Sequence, residues 1–103
     1  MLKWQKKYYI SEGVKSPVKI QSKINAGKPV PGIYLLTLSG NPGNIMEIVP
    51  AVTLIQKTAY DLCPVIIGMA RGKDEALELV QRIVEEVYRE TGSFGIKEYM
   101  KNR

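Results

Sequence analysis

The stretch CPVIIGMARGKDEALELVQRIVEEVYRET, residues 63–91, decides the fold. Its first eight residues form an apolar run of strand length, which is typical of a strand buried on both faces. A helix is expected to begin at Lys73 or Asp74 and to run to about Thr91, with Gly92 ending it. Its apolar residues recur at the spacing of a buried stripe: Leu77, Val80, Val84 and Val87, widened by Ala76, Leu79 and Ile83. The stretch therefore predicts a central strand followed by an amphipathic helix.

A second strand of the same kind is expected upstream, at residues 33–39, IYLLTLS, where both faces are again mainly apolar. A loop, GNPGN, covers residues 40–44, and a helical pattern continues to about Leu62, with Asn44 as its N-cap. Pro50 interrupts that pattern, so the regular helix is expected either to kink there or to start there. Because strands joined by a crossover helix pair in parallel, we predict that the two strands are adjacent, parallel and central.

The remaining segments are predicted to flank these two strands. Residues 2–10 and 17–25 alternate between apolar and polar positions, so they are expected to form a β-hairpin closed by residues 11–16. Residues 94–101 alternate in the same way and predict a fifth strand near the edge. The predicted fold class is therefore α/β: an N-terminal β-hairpin followed by a β-α-β-α-β unit, with a five-stranded mixed sheet, two helices and one domain over residues 1–103.

The composition argues against most catalytic chemistry. Among 103 residues there is no histidine and only one cysteine, Cys63, so the commonest general base is missing and zinc clusters and internal disulfides are excluded. We therefore predict no catalytic residue, no metal site and no cofactor. The N-terminus lacks the pattern of a secretory signal, and the most apolar window, residues 45–55, is too short and too polar at its end to cross a bilayer. A cytoplasmic location is expected.

Two loops are candidates for binding a small anion. They are expected at residues 39–44 and 71–74, where the two central strands end and the helices begin. Glycines permit close backbone approach, and a helix N-terminus favours negative charge. The candidate ligand-binding residues are Gly40, Asn41, Gly43, Asn44, Arg71, Gly72 and Lys73. The simpler alternative is that these residues only make the turns, because the glycine spacing matches neither the dinucleotide fingerprint nor the phosphate loop.

The charge is uneven along the chain. Residues 1–32 hold seven lysines and one acid, Glu12, whereas the remainder is close to neutral, within a net charge of +5. On the polar face of the predicted hairpin, four lysines form a basic patch: Lys3, Lys7, Lys19 and Lys23. Lysines beside an aromatic ring are typical of a platform for single-stranded nucleic acid. Arginine is absent from this region and Tyr9 alone is a poor stacking surface, so lysines that keep the sheet soluble are the simpler interpretation.

Self-association is the remaining expectation. If both crossovers progress in the same direction, both helices cover one face of the sheet, and the other face stays open and apolar until a second copy covers it. If the helices lie on opposite faces, a monomer suffices. Three functions remain, in order of preference: a non-enzymatic interaction domain that forms a homodimer, a small anion-binding domain or weak enzyme that uses the two loops, and a nucleic-acid-binding protein.

Overall fold

Four strands form one mixed sheet in the computed structural model, which describes residues 2–38 and 46–101. The elements of these residues are β1 (Trp4–Ile10), α1 (Pro17–Asn25), β2 (Ile33–Leu38), β3 (Met46–Pro50), a 3₁₀ helix (Ala51–Ile55), α2 (Lys57–Asp61), β4 (Ile66–Arg71), α3 (Gly72–Thr91) and α4 (Ile96–Lys101). The strand order is β1-β4-β2-β3. β1 is parallel to β4, and β2 is antiparallel to both of its neighbours. The radius of gyration is 13.1 Å, as expected for one domain of this length.

The two strands predicted to be central are β2 and β4. They are adjacent, and Leu35 and Ile66 are fully buried, which confirms their central position. The predicted parallel pairing is wrong, because the register runs from Ile33 opposite Arg71 to Thr37 opposite Ile66. The two strands are therefore antiparallel. The reason lies in the segment between them, which does not form a single crossover helix.

The segment predicted as a helix from residue 44 to about residue 62 contains a strand instead. β3 pairs antiparallel with β2, from Leu38 opposite Met46 to Tyr34 opposite Pro50. Pro50 has no backbone N–H to donate inside a helix, and it stands at the end of β3, immediately before the 3₁₀ helix. Only that 3₁₀ helix and α2 remain helical, with five residues each. They form the crossover from β3 to β4, which run in the same direction on either side of β2.

The predicted N-terminal hairpin is also wrong, because residues 17–25 form α1. Pro17 occupies its first turn, where a missing N–H is tolerated. Ile20 and Ile24 are four residues apart and pack against the sheet. A spacing of four fits a strand with period 2 and a helix with period 3.6 equally well, so it does not distinguish them. Val18, which a strand would place on the same face, is 72% exposed.

The predicted fifth strand is the helix α4, and the cause of the error is the same. Ile96 and Met100 are again four residues apart, and both are buried in the cluster under α3. Phe94, which the strand would place beside them, is exposed. The described residues thus hold four strands where the sequence predicts five.

The helix that the sequence predicts after β4 is confirmed as α3. Its last residue is Thr91, and Gly92 follows in the left-handed conformation with φ 72°. The Gly92 N–H donates to the carbonyl oxygen of Tyr88 at 2.7 Å and so closes the last turn. The buried side chains of this helix are Ala76, Leu79, Ile83 and Val87.

The helices cover both faces of the sheet. α3 and α4 pack on one face, over a core cluster that includes Leu36 and Ile83. α1, the 3₁₀ helix and α2 pack on the other face, over a cluster that includes Ile24 and Leu54. Of the two arrangements that the sequence leaves open, the one with helices on opposite faces is observed, so an uncovered sheet face gives no argument for a dimer. Within residues 2–38 and 46–101, no helix combines the length and apolarity needed to span a membrane.

Candidate functional site

The parallel strands β1 and β4 end at the same edge of the sheet, and the chain segments that follow them meet there. Ser11, which follows β1, is buried, and its hydroxyl donates to the Glu75 carboxylate oxygen Oε1 at 2.5 Å. The Gly13 N–H donates to the same oxygen at 2.8 Å, and the Arg71 N–H donates to the Ser11 Oγ at 3.1 Å. A side chain on Gly13 would overlap the Glu75 carboxylate. These contacts join the end of β1 to the first turn of α3.

The hydrogen bonds also set the ionisation of Glu75. The Ser11 hydroxyl is the largest cause that holds the pKa of this carboxyl below its ordinary value, followed by the Gly13 N–H and by the charge of Arg71. Desolvation raises the pKa; it is a smaller effect than either hydrogen bond but a larger one than the charge of Arg71. Glu75 is therefore a carboxylate at neutral pH and acts only as an acceptor.

A cavity of about 340 Å³ lies beside this junction. It is lined by Ser11, Glu12, Glu75, Glu78, Leu79 and Arg82. Three of these side chains are carboxyls and one is a guanidinium, whose Nη2 donates to the Ile10 carbonyl oxygen at 3.2 Å. The Ser11 hydroxyl is already bonded on both sides, so it is not a prepared nucleophile. The carboxyls make the cavity unfavourable for the small anion that the sequence predicts at this edge.

Part of the predicted set of anion-binding residues lies within the described residues. Arg71 and Lys73 lie at the carboxyl edge of β4, where both are exposed, and the Gly72 N–H already donates to the Gly32 carbonyl oxygen at 2.8 Å. The other loop, including Gly40, Asn41, Gly43 and Asn44, lies outside the described residues. Leu38, just before it, donates its N–H to Val65 at the start of β4. Because β2 and β4 are antiparallel, Leu38 at the end of β2 and Arg71 at the end of β4 lie at opposite ends of the sheet. The prediction that both strands end at one edge, which was the reason for treating the two loops as one site, is therefore wrong.

Other reactive groups give no catalytic arrangement. Burial raises the pKa of the Cys63 thiol, so it stays protonated near neutral pH and is a weak nucleophile. In the described ranges, no three histidine, cysteine, aspartate or glutamate side chains are grouped to hold a metal ion.

A second candidate is an apolar strip along α3. Leu77 and Tyr88 are each 52% exposed, and three helical turns separate them, so they lie on one side of the helix. Val80 and Val84 lie on that side but nearer the sheet, where they are half-buried. Phe94 stacks on Tyr88 with the ring centroids 4.9 Å apart. The strip therefore extends beyond the end of the helix.

The sheet continues this strip toward its β3 edge. Arg82 and Glu86 on α3 reach Ile10 and Tyr9 of β1, so the opposite side of the helix faces β2 and β3. Half-buried apolar residues of these two strands pack against the same cluster: Tyr34, Leu38, Met46 and Ile48. We call the combined strip the α3–β3 surface, and its main residues are Leu77, Val80, Val84, Tyr88, Met46 and Ile48.

A third candidate is the surface around α1. The Trp4 Nε1 donates to the Asn25 Oδ1 at 2.8 Å, and the Tyr8 hydroxyl donates to the Gln21 Oε1 at 3.0 Å, so α1 lies against β1. The predicted hairpin face does not exist, and its lysines belong to two elements: Lys3 and Lys7 at β1, and Lys19 and Lys23 on α1. Four exposed lysines on α1 and its flanking turns form what we call the α1 basic surface: Lys15, Lys19, Lys23 and Lys28.

Sequence reasoning missed two of these features. The Ser11–Glu75 contact joins residues 64 positions apart, and only a serine and a glycine directly after a strand hint at it. The α3–β3 surface was missed because Leu77 was assigned to the buried stripe and residues 46–50 to a helix. The signal that remains is the three-turn spacing of Leu77 and Tyr88, which places them on one side of α3 together with Val84.

No protein-family model, curated protein or solved structure matches this chain.

Proposed function

We propose that this protein is a non-enzymatic interaction domain that forms a two-fold dimer through its α3–β3 surface. The observation that carries the proposal is the position of half-exposed Leu77 and Tyr88 on the side of α3 that lies away from β1. Met46 and Ile48 of the edge strand β3 add half-buried apolar side chains on the same face of the sheet. Monomeric soluble proteins rarely expose large contiguous apolar patches, and such patches mark interaction sites. Helix and strand edge together offer a partner both apolar contacts and backbone hydrogen bonds.

The edge strand suits pairing with a second copy. β3 has β2 on one side and no strand of the described residues on the other. It carries one charge, Glu47, within five residues. In an antiparallel two-fold pairing centred on Ile48, each Glu47 lies opposite Val49 of the second copy, so the two carboxylates do not face each other. Such a pairing extends the sheet from four strands to eight.

The same symmetry brings the two apolar strips together. Met46 and Ile48 lie on the α3 face of β3, so pairing at Ile48 places these side chains of both copies next to one another. The strips of Leu77 and Tyr88 then flank the joined sheet on either side of the axis. A two-fold axis is the commonest symmetry of small oligomers, because one self-complementary patch serves both subunits.

Sedimentation equilibrium at micromolar concentration tests the proposal. We expect the wild-type chain at twice its mass of 11.6 kDa. Leu77→Lys places a charge in the strip at a half-exposed position that the fold tolerates, and it should shift the population toward the monomer. The matched control is Leu62→Lys, because Leu62 is 76% exposed and follows α2, which packs on the opposite face of the sheet. This control should remain a dimer.

Two results contradict the proposal. One is a wild-type protein that sediments as a single 11.6 kDa species across the micromolar range. The other is an equal loss of the dimer in the Leu77→Lys and Leu62→Lys variants, since that would place the contact away from the α3–β3 surface. Circular dichroism of both variants verifies that the fold is retained.

A further inference from the structure

We infer that the α1 basic surface binds the phosphate backbone of duplex nucleic acid without reading its sequence. The first observation is the separation of charge in the chain. Glu12 and Glu47 are consecutive acids, so residues 13–46 contain no negative side chain. This segment includes the whole of α1 and its flanking turns.

The lysines of this surface are also exposed and unpaired. Within residues 2–38 and 46–101, none of these lysines forms an ion pair with a carboxylate, and the ion pair between Lys57 and Asp61 lies elsewhere, on α2. Lys15, Lys19, Lys23 and Lys28 are all exposed. Their charges are therefore not neutralised by the protein and are free to meet an anionic partner.

The geometry of α1 fits a regular row of phosphates. Lys19 and Lys23 are four residues apart, so they project from one side of the helix and are separated by about 6 Å along its axis. A nucleic acid strand carries one negative charge per ~3.4 Å of duplex axis, so each lysine can meet a different phosphate. Lys15 and Lys28 add two further charges, in the segments before and after the helix.

The aromatic side chains near α1 indicate backbone contact and not base stacking. Trp4 and Tyr8 are half-buried between β1 and α1, and their polar atoms are bonded to Asn25 and Gln21. They are not available as a platform for unpaired bases, which a single-strand site requires. The lysine ammonium is a point charge and lacks the planar, bidentate geometry of an arginine guanidinium. It therefore suits contacts with phosphates, which carry no sequence information, better than contacts with base edges.

A lipid surface fits α1 less well. Helices that bind a membrane interface insert an apolar face below the headgroups. In α1 the isoleucines Ile20 and Ile24 are already packed against the sheet, and Val18 is the exposed apolar residue of the helix. The charges of the α1 basic surface therefore lack the apolar anchor that would favour a bilayer over a nucleic acid.

Fluorescence anisotropy with labelled 20-base-pair DNA duplexes of two unrelated sequences tests this inference. We expect equal affinity for both duplexes and a linear fall of log K with log salt. Lys19→Gln/Lys23→Gln should weaken binding by about tenfold or more and reduce the salt slope by about two, since each phosphate contact contributes about 0.9 to the slope. The control Lys97→Gln/Lys101→Gln removes the same charge from two exposed positions of α4 and should change affinity much less.

Three results overturn the inference. Equal weakening by both double variants would assign binding to net charge and not to α1. Much tighter binding of an unpaired strand of the same length would assign it to base contacts. Retention on vesicles that contain phosphatidylserine, without binding of either duplex, would assign the surface to a membrane. Circular dichroism of both variants confirms that any change in affinity is not a loss of fold.

Discussion

On one face of the sheet, the 20-residue helix α3 buries a regular stripe of side chains. The other face is covered by three shorter elements: α1 with nine residues, and the 3₁₀ helix and α2 with five residues each. Helices this short are marginal in isolation. They are held by specific hydrogen bonds: Asn25 accepts from the Trp4 indole N–H through its side chain and from the Tyr60 hydroxyl through its backbone oxygen, at 2.8 and 2.7 Å. Both faces bury an apolar cluster, but α3 alone contributes four buried side chains, whereas α1 contributes one, the 3₁₀ helix two and α2 none. The short helices therefore depend more on polar contacts than α3 does.

The largest effect is expected from a cavity under α3. Ile83→Ala removes a fully buried side chain at the middle of the stripe and should lower the free energy of unfolding by about 3–4 kcal/mol. Urea denaturation followed by circular dichroism measures the change. Ile55→Ala removes the same atoms from a half-exposed position of the 3₁₀ helix and should cost less than about 1 kcal/mol. Similar losses in the two variants would contradict the assignment of stability to the α3 stripe.

A smaller and more local effect is expected on the α1 face. Asn25→Ala leaves the half-buried Trp4 indole N–H without its acceptor and should lower the free energy of unfolding by about 1–2 kcal/mol. Amide hydrogen exchange should accelerate in α1 and remain nearly unchanged in α3. Ser22→Ala, at an exposed position of the same helix, is the control. Acceleration spread evenly over both helices would mean that the two faces are not held independently.

The smallest effect concerns the junction of β1 with α3 and depends on pH. Because the pKa of Glu75 is lowered from 4.5 in the folded protein, its stabilising contribution is complete above that value and is lost as pH falls through the folded pKa. Glu75→Gln should therefore flatten the acid limb of the stability curve, measured by urea midpoints at a series of pH values. Glu78→Gln makes the same charge change at an exposed position about one turn further along α3, and it serves as the control. If the urea midpoints of Glu75→Gln fall with decreasing pH in parallel with those of the wild type, the Ser11–Glu75 contact is not a source of the acid sensitivity.

Length explains which helix was predictable from sequence. Over 20 residues, the stripe of α3 repeats often enough that only a period of 3.6 fits it, and the helix was predicted almost to the residue. In α1 and α4 the residues that face the core are single pairs, Ile20 with Ile24 and Ile96 with Met100, and a spacing of four suits both periods. A single pair therefore does not distinguish a helix from a strand, whereas the repeated stripe of α3 does.

Sheet direction and the candidate sites depend on contacts that local patterns do not contain. The burial of Leu35 and Ile66 follows from their apolar runs, but their antiparallel pairing follows from β3, whose five residues include a proline. The Ser11–Glu75 contact requires β1 to pair with β4, and nothing in either strand specifies the other. The charge distribution, in contrast, can be read directly from the sequence, which shows the excess of lysines before residue 33. The sequence does not show that part of this excess lies on a helix.

The pairing of β1 with β4 has a consequence for the order in which the chain acquires its structure. Trp4 lies opposite Ile66, so β1 has no sheet partner during synthesis until the chain has been made as far as β4. The β2–β3 pair, in contrast, joins neighbouring segments and can form as soon as both are available. Because long-range pairing requires an unfavourable loop closure before its contacts form, docking of β1 is expected to be the late step of folding. Until then Trp4 and Tyr8 remain exposed to solvent and to other nascent chains.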